Sequence, residues 1–147
     1  MSRRKGSLPR VTSDAPQPDL QGTLDDVLGL EVTQAGGGTA SGTFAVEKRV
    51  QQPFGIVHGG AYAAHAEALA SVGTWLEVRE DGMLAMGMNN FTTYLRPVFG
   101  GIISAEARAL HRGRTTWVWD VEFTTDEGKK CATSRVTIAV RPAPPAS

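Results

Sequence analysis

Residues 51–74 read QQPFGIVHGGAYAAHAEALASVGT, a loop that passes into a run from Ala61 to Leu76 rich in Ala and Leu and free of proline. That composition predicts a buried helix, because Ala and Leu are strong helix formers and the run carries a single acid, Glu67. Gly59 and Gly60 stand at its start. The first N–H groups of a helix have no intrahelical partner, and a backbone without Cβ lets another group come close, so these amides form a candidate anion site. On a 3.6-residue period Gly60, Ala63, Ala64, Glu67, Ser71, Thr74 and Val78 share one face, while Leu69, Val72 and Leu76 point into apolar packing. That face is small and polar, with Glu67 and Ser71 side by side. Most helix glutamates are solvated. Glu67 departs from that pattern: its neighbours are Ala, His and Leu, and a bare-amide cluster and Gln52 lie upstream.

Working outward, Met1 to about Gly22 mixes Arg, Lys, Ser, Pro and Asp without periodicity and reads as a disordered tail. Thr23 followed by two acids caps a short helix that ends near Gly29. Leu30 to Gln34 and Thr39 to Val46 form a hairpin about Gly36-Gly37-Gly38, a turn and not a phosphate loop, since no Lys-Ser or Lys-Thr pair follows. Beyond the helix, Glu80-Asp81-Gly82 turns the chain. Four strands follow, Met83 to Tyr94, Ile102 to His111, Thr115 to Thr124 and Lys129 to Val140, with the last three in an antiparallel meander and the chain leaving the sheet at Arg141. The result is one α+β domain over residues 23–142, with short tails, in which a curved sheet wraps the long helix to bury it.

A chain of 147 residues with 41% hydrophobic content supports one core. Fifteen basic residues balance fifteen acidic ones, so no bulk field recommends a nucleic acid or an anionic membrane as partner. One cysteine, Cys131, excludes an internal disulfide framework, and no apolar run reaches the roughly 20 residues of a membrane span. The basic start lacks the apolar region of a signal peptide, and the expected location is cytoplasmic. His58, His65 and Glu67 do not make a metal cluster, because His65 and Glu67 face different ways on a helix. Trp117 and Trp119 alternate on one side of a strand as core residues.

The stretches VHGGAYAAHAEALAS, GMNNFTTYLRPV, LHRGRTTWVWDV and CATSRVTIAVRP, spread over Leu24 to Pro142, resemble the acyl-CoA thioesterases of the hotdog fold. The likeness is to the HGG-bearing branch of 4-hydroxybenzoyl-CoA and phenylacetic-pathway thioesterases, in the type whose helix acid is Glu. The resemblance implies a hotdog fold and hydrolysis of an acyl-CoA thioester with an aromatic acyl group. It also implies a homotetramer built from dimers, and no cofactor, CoA being part of the substrate. By position it implies Gln52 as a polar contact near the thioester, Gly59 as the amide on its carbonyl oxygen, Glu67 as nucleophile or general base, and Ser71 as a helper hydroxyl. For the CoA moiety it implies Arg96, His111, Arg112, Arg114 and Thr115. Arg114 stands where the type has a small hydroxyl residue, and Ala143-Pro144 replaces an expected basic residue.

Thioester hydrolysis requires a donor for the growing oxyanion and a carboxylate or water at the carbonyl carbon. Gly59 and Glu67 are eight residues apart, about 12 Å along a helix, whereas both must meet one carbonyl within roughly 3 Å. Two antiparallel copies of the helix are therefore expected, each lending one half of the site. Two rival readings share these features: a hydratase or dehydratase of the same fold, which needs an upstream histidine where this chain has Gln52, and a non-catalytic acyl-CoA-binding module, which has no use for Glu67 with Ser71.

Overall fold

The computed structural model describes residues 19–145, so all but the last four residues of the tail expected over residues 1–22 lie outside the described residues. The Thr23 hydroxyl caps helix α1 (Leu24–Leu28), which stops at Gly29 in the left-handed conformation. Strands β1 (Glu31–Gly36) and β2 (Thr39–Ala45) form the first hairpin, turned by Gly37 and Gly38 with φ of 62° and 80°. A loop with one 3₁₀ turn leads to helix α2 (Gly59–Val78), twenty residues long. Strands β3 (Met83–Tyr94), β4 (Ile102–Arg112), β5 (Thr116–Thr124) and β6 (Lys130–Pro142) complete one six-stranded antiparallel sheet. No described helix is long and apolar enough to cross a membrane.

The strand order is β1-β2-β4-β5-β6-β3. The last three strands pair as the expected meander, but β3 crosses to the far side of β6 and becomes an edge. The sheet curls around α2, as expected, and the core lies between them. Strand alternation delivers Phe44, Ile103, Trp119, Val121, Phe123, Val136 and Ile138 to that core, and α2 meets them with Tyr62, Ala66, Leu69 and Ala70. Gly73 is required by close approach: a Cβ there would lie 2.5 Å from the Trp119 ring. The Trp119 indole N–H donates to the Thr74 hydroxyl at 2.9 Å, which donates in turn to the Ala70 carbonyl at 2.8 Å. Cys131 is fully buried on β6, its thiol donating to the Phe123 carbonyl at 3.4 Å, and burial pushes that thiol up.

Three sequence expectations are corrected. Thr74 does not share the exposed face of Glu67; it is fully buried and bonded to Trp119. Val72 and Leu76 are only partly buried. The chain does not leave the sheet at Arg141, since Arg141 and Pro142 still pair with Leu84 and Met83 and the Arg141 guanidinium donates to the Thr115 carbonyl at 2.9 Å.

His65 is wholly buried between Phe44 and Phe123, and its Nε2 donates to the Glu31 carbonyl at 3.1 Å, tying α2 to β1. Burial holds this imidazole at about 4, below its usual 6.5, against a weaker upward pull from the Glu31 carbonyl. Between those two pH values the unfolded chain takes up a proton that the folded chain refuses, so stability falls as pH drops through the window and is complete above it. The expected loss on going from pH 7 to pH 4 is about 3 kcal/mol from this residue. Urea denaturation at a series of pH values measures it, and His65→Leu flattens the slope.

Candidate functional site

The start of α2 is built by the preceding loop. Gln51 bridges to Val57, the His58 N–H donates to the Val50 carbonyl at 2.7 Å, and the Val57 N–H donates to the Val98 carbonyl at 2.9 Å. His58 is the N-cap, its Nδ1 accepting from the Gly60 N–H at 2.8 Å. With Gly60 capped in this way, the Gly59 amide is the donor left at the first position of the helix. Tyr94 closes over Gly59, since a Cβ there would lie 2.5 Å from the Tyr94 ring, which would have to shift for a larger residue. The Gln52 carbonyl oxygen of the side chain accepts from the Phe54 N–H at 2.6 Å, which orients the amide and leaves its NH₂ as a donor near the helix start.

Two turns along, Glu67 is exposed, with its carboxylate lying on the bare Cα of Gly87 in β3. Ser71 is half-buried one turn beyond. Asn90 of β3 fixes this register by donating from its side-chain amide to the Ala63 carbonyl at 2.8 Å. Gln52 and Gly59 thus stand at one end of the helix and Glu67 and Ser71 further along it, so a single chain does not bring the four together. One residue that sequence reasoning used only as a capping acid joins the second group. Asp25 of α1 is partly buried, and its carboxyl is raised first by that burial and then by the negative charge of Glu67. Nothing local marks this pairing, since the two acids are far apart in the chain and meet only when α1 folds onto α2.

The residues expected at CoA are also separated. Arg96 is exposed beyond the end of β3, with Nε 3.5 Å from the Lys130 carbonyl, while His111 to Thr115 turn between β4 and β5 beside Val140 and Arg141. Lys130 and Val140 lie at opposite ends of β6, about 33 Å apart in an extended strand. Arg112 has structural work: its guanidinium lies 3.3 Å from a Glu77 carboxylate oxygen and stacks over Trp117 at 4.8 Å. The other Glu77 oxygen accepts from the Gly37 N–H at 2.5 Å, so the pair staples the first hairpin to the end of α2. Arg114 is exposed at a cavity of about 460 Å³ that Asp81, Met83 and Trp117 also line. A second cavity, about 330 Å³, opens beside the helix start under α1, walled by Leu24, Leu28, Val50, Ala61 and Ala64 with His58 and Gln51 at its rim.

Residues 54–132 match the family described as the thioesterase superfamily. The chain belongs to the thioesterase superfamily. Its fold is the hotdog fold and its class of activity is thioester hydrolysis. It is 37% identical over 130 residues to the proofreading thioesterase EntH of Klebsiella pneumoniae, covering 88% of this chain and 94% of that one. A Pseudomonas aeruginosa thioesterase, solved as a glutamine-to-alanine variant, is 32% identical and superposes with a TM-score of 0.80 over 87% of this chain and 97% of that one. A Staphylococcus aureus relative was solved once with a glutamate and once with a glutamine replaced by alanine. The two structures are 27% and 26% identical, cover 82% and 81% of this chain and 99% and 98% of that one, and both have a TM-score of 0.78. The two replaced residues are fifteen apart in that chain, the spacing of Gln52 and Glu67 here.

The staple generates a test of its own. Arg112→Ala removes both the partly exposed ion pair with Glu77 and the stacking on the buried Trp117 ring, and is expected to cost about 1–2 kcal/mol. A lowered thermal midpoint with an unchanged KM is the expected outcome, and calorimetry beside steady-state kinetics reads both.

Proposed function

We propose that the protein hydrolyses an acyl-CoA thioester, with an aromatic acyl group, at centres shared between two antiparallel copies of the chain. One observation carries the reading: a donor amide at Gly59 and a carboxylate at Glu67 sit on the same helix, too far apart for one carbonyl, and both border the open edge of β3. That edge is twelve residues long and exposes Met86, Met88, Phe91 and Tyr94 at 48%, 59%, 71% and 54%. A long apolar edge pairs with another strand wherever it can. Antiparallel pairing of β3 with the partner's β3 centred near Asn90 and Phe91 lays the two helices side by side in opposite directions, because Gly59 lies at Tyr94 and Glu67 at Gly87. Gln52 and Gly59 of one copy then face Glu67 and Ser71 of the other. The assembly is a dimer at minimum, and the family resemblance supports pairing of two dimers into a tetramer.

In this arrangement the Gly59 N–H receives the thioester carbonyl oxygen, and donation strengthens as charge collects there in the transition state, worth on the order of 3 kcal/mol. The Gln52 amide orients the same group. Glu67 of the other copy delivers the attack on the carbonyl carbon, directly or through a water it deprotonates, and Ser71 lies beside it to hold that water or carboxylate. When water attacks, collapse expels the CoA thiolate and leaves the acid. When Glu67 attacks directly, collapse expels the thiolate and leaves an anhydride between the acyl group and Glu67, which a water then hydrolyses to the acid. The apolar cavity beside Gly60 and Ala61 supports placing the acyl group there. Antiparallel pairing also places Arg96 of one copy at the same end as the partner's Arg114, so the basic residues that one chain holds apart converge on the CoA phosphates. Arg112, engaged with Glu77, supports the turn.

Free-thiol release over a panel of aryl- and alkyl-CoA thioesters tests the activity, and binding without turnover would sink it. Glu67→Ala is expected to lose about 100- to 10,000-fold in kcat. Arg114→Ala is expected to raise KM and leave the thermal midpoint unchanged, the reverse of Arg112→Ala. Mixing Gly59→Pro chains with Glu67→Ala chains is expected to restore about one working centre in two within each heterodimer. Absence of recovery in assembled heterodimers would place the site within one chain.

A further inference from the structure

No positive φ requires glycine at position 87, and Gly87 sits within a long strand, where the residue weakens pairing. What occupies the space of its missing side chain is Glu67. A Cβ built on Gly87 would lie 2.5 Å from Oε1, 2.9 Å from Cδ and 3.2 Å from Cγ of that glutamate. The strand is deformed at the same place. Gly87 pairs with Ile138 and Asn89 with Thr137, so Met88 is an extra residue in a bulge on the edge strand. Immediately beyond the bulge Asn90 holds the Ala63 carbonyl, one turn before Glu67, which fixes how far along β3 the acid comes down.

We propose that Gly87 is a positioning residue: its bare Cα in the bulge of β3 is a seat that sets the direction of the Glu67 carboxylate. The proposal rests on the reading of Glu67 as the attacking acid. Without the seat, the carboxylate turns away from β3 and from the partner's helix start across that edge. The group that would have to yield to a methyl is the far end of a flexible side chain, so the substitution displaces the acid at small expense to the fold. Gly87 and Glu67 therefore share one volume, and a change at either alters what the other can do.

The experiment compares Gly87→Ala, Glu67→Asp and the double variant, with Glu67→Ala and Gly100→Ala as references, in the full-length assembled protein. At Gly100 an added methyl meets nothing within 4 Å. Gly87→Ala is expected to lower kcat by up to about 100-fold, the cost of a misplacement of around 1 Å, with KM and the thermal midpoint little changed. The shorter acid of Glu67→Asp vacates the space that the methyl needs, so the double variant is expected to turn over faster than the product of the two single losses predicts. A role in strand pairing alone gives no such recovery. Should Gly87→Ala fail to fold, the double variant carries the test, fold and turnover returning together. Full activity in Gly87→Ala, or losses that simply multiply in the double variant, would overturn the proposal while leaving Glu67 in place. Full activity in Glu67→Ala would instead overturn the reading beneath it.

Discussion

The contact on which the rest depends is that of the Trp119 indole with the bare Cα of Gly73. A flat ring on a residue without a side chain lets α2 settle onto the sheet, and the indole N–H closes the contact by donating to Thr74 at 2.9 Å. Ala66 and Ala70 continue the same close approach, both fully buried. Because the interior is packed without slack, helix depth sets the position of every group the helix presents. At this depth Asn90 reaches the Ala63 carbonyl, Tyr94 lies on Gly59, and the Glu67 side chain comes down on β3.

The same helix sends polar groups in opposite directions, and their surroundings decide what each can do. His65 faces Phe44 and Phe123 in a dry interior, where the neutral ring is the affordable form and its one hydrogen bond serves to tie α2 to β1. Glu67, two residues on, faces the open edge. There it meets Asp25, whose carboxyl is held up by burial and by the charge of Glu67. Glu77, near the helix end, places a negative charge where the helix dipole is already negative, and Arg112 and the Gly37 amide offset it. The three side chains differ less in chemistry than in the company the fold gives them.

Local chemistry made much of this legible in the sequence. Thr23 and Gly29 cap α1 as read, the Ala-rich run is α2, and each of the four later strands begins and ends within two residues of its expected bounds. The crossing of β3 to β6 was not legible, because pairing between distant strands leaves no local mark. Thr74 was misplaced since a helical wheel gives an angle and not the partner met at that angle; here the partner is Trp119. Arg112 was implied at the CoA moiety, yet Glu77 and Trp117 draw it onto the end of α2. The need for a second copy was legible from the eight residues between Gly59 and Glu67, whereas the strand edge that both border was not. Gln52, Gly59, Glu67 and Ser71 stand out by type and spacing, whereas Asp25 and Gly87 gain meaning from what folds against them.

The burial of Cys131 has a practical corollary. It is the chain's one sulfhydryl, and it is sealed between β5 and α2 with no surface open to solvent. Native protein is therefore silent to aromatic disulfide dyes, so colour that develops during thioester turnover reports the liberated thiol alone. The same dye, added to a chain that has lost its interior, counts one equivalent per polypeptide and becomes a gauge of unfolding.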